Sequence, residues 1–318
     1  MADPRTIGSS SSLMELSETA GWRDYLELTK PRVVAVMLLT AIVGMFLAAP
    51  GLPPLSALLY GTLGIALAAG SAAAVNQVAD RHIDAQMART HRRPLPQGKV
   101  TAVQGLLFAA ILGISGIGML VILVNPLTGW LTLASLIGYA LVYTMLLKRA
   151  TPQNIVIGGI AGASPPLLGW VAVTGTLQPD GLLLVLIIFA WTPPHFWSLC
   201  IHKRDDYARA GVPMLPVTHG VDYTALQILL YSLLMIATTM LPLMTGMCGL
   251  WYLVGVSVLN MRFLQWAWRV YQDPLGTAPM AMFYYSITYI MALFVVLLAD
   301  HYLAPSFGLW PVPDFWAL

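Results

Sequence analysis

The chain has 318 residues, of which 58% are apolar and only 9% are charged, and its formal net charge is +2. Soluble globular domains contain about 25% charged residues, so this composition excludes an ordinary soluble protein. With a mean hydropathy of +0.75, the chain is predicted to be a polytopic membrane protein. We expect no nucleic-acid partner.

Nine segments are apolar over a length that can cross a membrane core of about 30 Å. They predict an all-α fold, a polytopic membrane helical bundle of about nine transmembrane helices, in one domain over residues 23–303. In chain order the segments are 33–49, 55–75, 102–124, 127–147, 154–173, 181–201, 224–246, 249–268 and 280–300.

The two ends of the chain differ in composition from this domain. Residues 1–22 are polar and lack the basic start and apolar core of a signal peptide, so we predict a disordered cytoplasmic segment. Residues 304–318 contain Trp310, Phe315 and Trp316, which are typical of a membrane interface. They are predicted to form an aromatic tail on the periplasmic side.

The positions of the basic residues predict the orientation of the bundle. If the N-terminus is cytoplasmic, all 16 Lys and Arg lie on the cytoplasmic side, and the other side keeps only Asp180, Asp300 and Asp314 as charges. We therefore predict a multi-pass protein of the bacterial inner membrane with a cytoplasmic N-terminus and a periplasmic C-terminus. The cytoplasmic loops lie near 76–101, 148–153, 202–223 and 262–279.

Three oxygen-bearing side chains follow one another at steps of four residues where the second apolar segment ends. They are Asn76, Asp80 and Asp84. Four residues of a helix turn by about 400° and rise by about 6 Å, so these side chains form a stripe on one face. Oxygen ligands suit Mg²⁺, which leaves coordination positions free for phosphate oxygens. The alternative is a polar helix end that simply faces water.

The depth of the stripe separates two classes of membrane protein. Asp80 and Asp84 follow the apolar segment 55–75, so they lie at the interface. A transporter would instead place its site near the midplane, where an Asp costs about 2.5–3.5 kcal/mol. The interfacial position favours an enzyme that takes a lipid-tailed diphosphate from the bilayer.

A second carboxylate cluster occurs at the end of another inward-running helix. The segment from His202 to Pro216 contains Asp205 and Asp206 among basic residues and ends in prolines. The stripe is likewise followed by basic residues and prolines, from Arg89 to Pro96. The two helix ends can face each other across a cytoplasmic cavity, so the two clusters could share Mg²⁺ and a diphosphate. The alternative is a solvated loop in which neighbouring basic side chains screen the carboxylates.

These segments carry a resemblance to known proteins. The stripe resembles the first metal motif of the intramembrane aromatic prenyltransferase (UbiA-type) superfamily. The segments Tyr143–Trp170, Pro194–Trp197 and Asp206–Val217 are similar to the protohaem IX farnesyltransferase (haem O synthase) family, over roughly residues 28–298. Where the superfamily has a second Asp-x-x-x-Asp motif, this chain has His202-x-x-x-Asp206, which leaves Asp206 as the better ligand.

The resemblance implies a fold, a reaction and a metal. It implies a bundle around a central cavity open to the cytoplasmic side, and farnesyl transfer from farnesyl diphosphate to a vinyl group of haem b, giving haem O and diphosphate. Mg²⁺ is the implied cofactor. A cytochrome oxidase assembly factor or haem A synthase is a candidate partner, besides membrane lipid. The implied metal-side and catalytic residues are Asn76, Asp80, Asp84 and Asp206.

Cationic side chains on the same side are candidates for holding the departing diphosphate, because Arg binds it by paired hydrogen bonds and Lys as a compact charge. The alternative is that they are positive-inside anchors. Tyr143 is a candidate for a place near the developing allylic cation, or is a buried interface tyrosine. The cationic candidates are Arg32, Arg89, Arg93, Lys148 and Arg149.

His195 is the one histidine predicted within a span, next to Pro193 and Pro194. It precedes Asp206 by eleven residues, or about 16 Å along a helix, which suits the separation of a porphyrin from a diphosphate. It is a candidate haem contact or axial ligand. The alternative is a structural histidine bonded to a neighbouring helix.

Two other functions remain open from the sequence. A prenyltransferase that acts on a quinone-precursor aromatic acceptor would use the same metal site, since the stripe recognises the diphosphate and not the acceptor. A haem-handling transporter or chaperone would explain His195 but not the carboxylate stripe.

Overall fold

The computed structural model describes residues 20–88 and 90–303, and in that range the side chain of Arg149 is not described. Every regular element in the described residues is helical, which confirms the predicted all-α fold. The structure describes only the last residues of the predicted disordered segment 1–22, where Trp22 begins a helix. The predicted tail 304–318 lies outside the described residues.

Between residues 20 and 303, the structure describes fourteen α-helices and two π-helical segments that continue directly into neighbouring helices. The first π segment, Ala57–Gly61, runs into α3, and the second, Gly138–Leu147, joins α5 to α6. The helices are α1 Trp22–Leu28, α2 Pro31–Leu47, α3 Thr62–Gln86, α4 Ala102–Leu123, α5 Pro126–Ile137, α6 Lys148–Ala150, α7 Asn154–Ala163, α8 Pro165–Thr174, α9 Pro179–His202, α10 Arg204–Arg209, α11 Leu215–Thr218, α12 Val221–Met244, α13 Leu250–Gln272 and α14 Ala278–Leu303.

Seven helices of the described chain are long and apolar enough to cross a membrane, and an eighth span results if α1 and α2, bent by 53°, are taken together. A helical membrane bundle is thus confirmed, but the count of nine is not. The predicted span 249–268 does form a helix, α13. It is not among the seven, and Asn260, Arg262 and Gln265 interrupt its apolar sequence.

Glycines allow α2 and α8 to cross at backbone contact. A Cβ atom added to Gly44 would lie 2.1 Å from the carbonyl oxygen of Pro166, and one added to Gly169 would lie 1.9 Å from that of Ala41. No side chain fits between helices this close, so the crossing depends on small residues, as is usual where membrane helices pack without a hydrophobic driving force.

A buried polar network joins α12, α13 and α14. Tyr289 donates its hydroxyl to Oδ1 of Asn260 at 2.6 Å, and Asn260 Nδ2 donates to Oγ1 of Thr239 at 3.0 Å. Tyr252 donates its hydroxyl to the carbonyl oxygen of Thr239 at 2.7 Å. Because these groups find partners inside the bundle, the network favours one arrangement of the three helices.

The carboxylate of Asp300 caps α13 from the end of α14. It accepts hydrogen bonds from the backbone N–H groups of Gly249, at 2.6 Å, and Tyr252, at 2.9 Å. Asp300 is 3% exposed, so these bonds are made away from solvent. The first N–H groups of a helix have no partner within it, and a carboxylate beside them is further stabilised by the helix dipole.

We expect Asp300→Ala to lower the free energy of unfolding by about 2 kcal/mol, because two buried N–H groups lose their acceptor. Asp300→Asn keeps one acceptor oxygen and should cost about half as much. Thermal unfolding of the purified variants in detergent measures both effects. Equal stability of the wild type and Asp300→Ala would show that water replaces the cap.

Candidate active site

The predicted oxygen stripe lies on one buried face at the end of α3. Asn76 is 4% exposed, Asp80 2% and Asp84 4%. The stripe therefore faces the inside of the bundle, and the alternative of a helix end that faces water does not hold. Carboxylates buried to this extent need ion or hydrogen-bond partners, and the two carboxylates find ion partners in Lys148 and Arg93.

Asn76 is held by three polar groups. Its Oδ1 accepts a 2.5 Å hydrogen bond from the Lys30 ammonium. Its Nδ2 donates to Oδ2 of Asp80 at 3.0 Å and to the hydroxyl of Thr144 at 3.2 Å. The amide is thereby oriented with its oxygen toward the cationic Lys30 and its nitrogen toward the carboxylate.

Asp80 has one bonded and one free oxygen. Its Oδ2 accepts a 2.6 Å hydrogen bond from the Lys148 ammonium, in addition to the bond from Asn76. Its Oδ1 is buried and has no hydrogen-bond partner among the described residues. A buried carboxylate oxygen without a donor is strongly unfavourable unless a cation binds it.

Asp84 lies one turn further along and is paired with the loop after α3. Its Oδ2 accepts a 2.6 Å bond from Nη1 of Arg93, and its backbone carbonyl accepts the hydroxyl of Thr90 at 3.0 Å. Lys30, Lys148 and Arg93 therefore bring three basic side chains to a stripe that carries two carboxylates. A cluster of basic side chains of this kind suits an anionic ligand.

Lys30 reaches the stripe from the joint between α1 and α2. It is the only non-glycine residue of the described chain with a positive φ, at 52°, and it precedes Pro31, which begins α2. The left-handed region costs about 1 kcal/mol or more for such a residue and is often retained at functional sites. Gln77 holds the joint by donating Nε2 to the carbonyls of Glu27 and Leu28.

The π-helical segment Gly138–Leu147 carries the facing wall of the site. In it, the Thr144 hydroxyl donates to the carbonyl of Tyr139, five residues earlier, at 2.8 Å. The rings of Tyr139 and Tyr143 lie 5.4 Å apart. A Cβ at Gly158 would lie 2.0 Å from the Tyr143 ring, so that ring rests directly on the backbone of α7. π-Helical geometry is rare in proteins, and where it occurs it is often found at a functional site.

The structure does not bring every candidate residue to the stripe. Asp206 lies on α10 and pairs with Arg209, three residues later. The described residues contain no group of three His, Cys, Asp or Glu side chains that could hold a metal, so Asp206 does not join Asp80 and Asp84 in such a group. Arg32 is exposed at the start of α2. Arg89 and the side chain of Arg149 lie outside what the structure describes.

His195 lies on α9, away from these contacts. Its ring stacks against Trp191, with centroids 4.3 Å apart, and against Phe283 at 4.7 Å. Its Nδ1 is 2.6 Å from the hydroxyl oxygen of Ser286 on α14. No described hydrogen bond links His195 to the stripe, so a role in binding haem remains a prediction.

Two residues at the stripe were not singled out from the sequence. Lys30 stood among the basic residues that mark the cytoplasmic side, and no local signal showed that it is buried. Thr144 did carry a signal, because it stands four residues before Lys148 and would share its helix face. Both side chains contact Asn76 in the structure.

The arrangement can bind a divalent cation and an anion together. The donor set fits Mg²⁺, since it offers the unpaired Oδ1 of Asp80, Oδ1 of Asn76 and the carboxylate of Asp84. The ammonium groups of Lys30 and Lys148 and the guanidinium of Arg93 lie beside these oxygens and can contact the oxygens of a bound diphosphate.

Known protein sequences match this chain over most of its length. The UbiA prenyltransferase family matches residues 37–298. A protoheme IX farnesyltransferase of Hahella chejuensis is 63% identical over 284 residues, covering 89% of this chain and 95% of that protein. A protoheme IX farnesyltransferase of Marinobacter nauticus is 62% identical over 286 residues, covering 90% and 95%.

Comparison with solved structures supports the fold. A digeranylgeranylglyceryl phosphate synthase superposes with a TM-score of 0.75 at 18% identity, over 88% of this chain and 98% of that one. A UbiA homologue from Archaeoglobus fulgidus, bound to DMAPP and Mg²⁺, superposes with a TM-score of 0.58 at 15% identity, over 86% and 99%.

Proposed function

Because the chain belongs to the UbiA prenyltransferase family, we propose that it transfers a farnesyl group from farnesyl diphosphate to a vinyl group of haem b, giving haem O and diphosphate. The observation that carries the prenyl-transfer chemistry is the buried stripe of Asn76, Asp80 and Asp84 with its three basic partners. The choice of acceptor rests on the relatives named protoheme IX farnesyltransferase.

The proposed reaction assigns roles to these residues. The C1–O bond of farnesyl diphosphate breaks, and the diphosphate leaves with the electron pair. Lys30, Lys148 and Arg93 hold its oxygens as negative charge develops. The haem vinyl group forms the new carbon–carbon bond to the allylic cation, and water adds its oxygen to the resulting centre with loss of a proton. Tyr143, whose ring rests on Gly158, is assigned to the cation side of the site.

Mg²⁺ is the proposed cofactor. When bound by Asn76, Asp80 and Asp84, it supplies charge that favours departure of the diphosphate. Asp206 is retained as a proposed ligand, which would require its pair with Arg209 to open. Arg32, Arg89 and Arg149 are retained as proposed diphosphate contacts.

The proposed setting is the bacterial inner membrane, with the stripe on the cytoplasmic side, a cytoplasmic N-terminus and a periplasmic C-terminus. The distribution of all 16 Lys and Arg supports this orientation. We also propose the predicted division of the chain into the segment 1–22, the membrane domain 23–303 and the tail 304–318. A cytochrome oxidase assembly factor or haem A synthase is the proposed partner that receives the product.

The test of this function is direct. Purified protein is incubated with haem b, farnesyl diphosphate and Mg²⁺, and the haem fraction is analysed by mass spectrometry for haem O. A parallel reaction offers an aromatic quinone precursor as the acceptor. If only haem is prenylated, the proposal is supported. If only the quinone precursor is prenylated, haem is not the acceptor and the proposed reaction is wrong.

Labelling of introduced cysteines tests the orientation. Single cysteines are introduced at two exposed positions, as Asp205→Cys and Leu52→Cys. The buried native cysteines, Cys200 and Cys248, are first replaced by alanine. A membrane-impermeant thiol reagent should label Asp205→Cys only in inside-out vesicles and Leu52→Cys only in spheroplasts. The reverse pattern would place the stripe on the periplasmic side.

A further inference from the structure

The imidazole of His195 is held on three sides. Trp191 and Phe283 cover its two faces, with ring planes inclined at 17° and 24°. The Ser286 hydroxyl oxygen lies 2.6 Å from Nδ1. Trp191 is itself fixed, because its indole N–H donates to the backbone carbonyl of Ser286 at 2.9 Å. One residue of α14 therefore fixes both the histidine and the tryptophan stacked on it.

The hydrogen bonds of Ser286 define which nitrogen of His195 carries the proton. The Ser286 hydroxyl oxygen is also 2.6 Å from the carbonyl oxygen of Phe283, which can only accept. A hydroxyl has one proton, and two oxygens this close require a proton between them. Ser286 therefore donates to Phe283, and its oxygen accepts from Nδ1–H of His195. The lone pair of the neutral imidazole is consequently on Nε2.

The remaining edge of the ring is the part that a ligand can reach. His195 is 9% exposed, and the ring of Phe196 meets its ring edge-on with centroids 5.4 Å apart. Nε2 is not among the fully buried side-chain atoms that lack a hydrogen-bond partner in the described residues. No described residue forms a hydrogen bond with Nε2. A rigid imidazole with an available Nε2 lone pair is suited to a metal ion, and a partner behind Nδ1 fixes the ring and raises its basicity.

We propose that Ser286 is a positioning residue for the haem acceptor: it holds His195 as the Nδ1–H tautomer so that Nε2 binds the haem iron. This inference rests on the proposed function, which supplies the iron with the substrate. Ligation at a fixed Nε2 anchors the porphyrin, and a vinyl group must be held in one place for the allylic cation to meet it.

Haem titration of the Ser286→Ala variant tests this role. The purified protein is titrated with haem b in the absence of farnesyl diphosphate and Mg²⁺, and the absorption and resonance Raman spectra are recorded. Without its acceptor the imidazole loses its orientation, so we expect haem affinity to fall about tenfold to a hundredfold and the iron–histidine band to shift. Ser286→Thr, which keeps the hydroxyl, should restore both.

The matched control is Thr288→Ala on the same helix. Thr288 is exposed and its hydroxyl contacts only the backbone carbonyl of Tyr284, so its removal should leave the spectrum unchanged. In a His195→Ala background, Ser286→Ala should have no further effect on haem affinity, because Ser286 acts through His195. Added imidazole should bind in the space left by His195→Ala and restore the spectrum.

Three outcomes distinguish this inference from the proposed function. A wild-type haem spectrum and affinity in Ser286→Ala, or full additivity with His195→Ala, would overturn the role of Ser286. If the wild type still forms haem O in that case, the proposed function stands without it. If the wild type prenylates no haem but the spectrum depends on Ser286, the ligation of haem iron through His195 stands, and the proposed function and the acceptor role fall.

Discussion

The Asp80→Asn variant is expected to lose prenyl transfer, with a rate about a thousandfold below that of the wild type. Asp80 contributes a buried carboxylate oxygen that has no hydrogen-bond partner among the described residues, and its other oxygen accepts from Lys148. Asparagine keeps the volume but removes the charge and one acceptor. Product formation under saturating farnesyl diphosphate and Mg²⁺ measures the loss, and haem binding should be retained.

A second variant separates chemistry from stability. Asp80→Asn leaves the Lys148 ammonium, 15% exposed, without its carboxylate, and loss of one partner of a buried pair costs about 3–5 kcal/mol. Asp80→Asn combined with Lys148→Met removes both charges and should recover stability without recovering activity. Asp222→Asn, an exposed carboxylate in the first turn of α12, is the control. A normal rate in Asp80→Asn would exclude the stripe from the reaction.

The Gly169→Ala variant is expected to lose about 3 kcal/mol of stability, the upper part of the range for overpacking. Its Cβ would lie 1.9 Å from the backbone oxygen of Ala41 and 2.7 Å from the backbone carbon of the same residue. Backbone atoms within a helix cannot turn aside as a flexible side chain can, so α2 and α8 must separate. Thermal unfolding in detergent and the abundance of the protein in membranes measure the effect.

Gly162→Ala is the matched control, because Gly162 lies within α7 and an added Cβ would meet no atom within 4 Å. Alanine forms helices better than glycine, so this variant should be unchanged or up to about 1 kcal/mol more stable. If stability falls in Gly169→Ala and rises in Gly162→Ala, the loss is caused by the contact between α2 and α8. Equal stability of Gly169→Ala and the wild type would mean that the crossing can open without cost.

The fold and the centre of the site were predictable because their signals are local. Long apolar segments define membrane helices, and the spacing of Asn76, Asp80 and Asp84 defines one helix face. The buried stripe in the structure has this geometry. Lys148, which was predicted to contact the diphosphate, donates a 2.6 Å bond to Asp80, and its contact with the diphosphate stays a prediction.

The remaining features depend on contacts between distant parts of the chain. Lys30 meets Asn76 across 46 residues and through a left-handed backbone conformation that no sequence period indicates. Asp206 belongs to a similar charged pattern, yet its nearest cation is Arg209 in its own short helix. Ser286 could not be distinguished from other serines, since its importance comes from His195 and Trp191, which α9 brings into contact with it.

The pairing of Asp80 with Lys148 has a consequence for how the protein is made. Lys148 follows Asp80 by 68 residues, and Lys30 precedes Asn76 by 46. During synthesis, α3 thus enters the bilayer with Lys30 already available but with Lys148 still inside the ribosome or its exit tunnel. Asp80 must then stay near the aqueous interface, or remain with the insertion machinery, until α5 and α6 have been added. The ion pair of Asp80 is therefore completed only after α6 has been made.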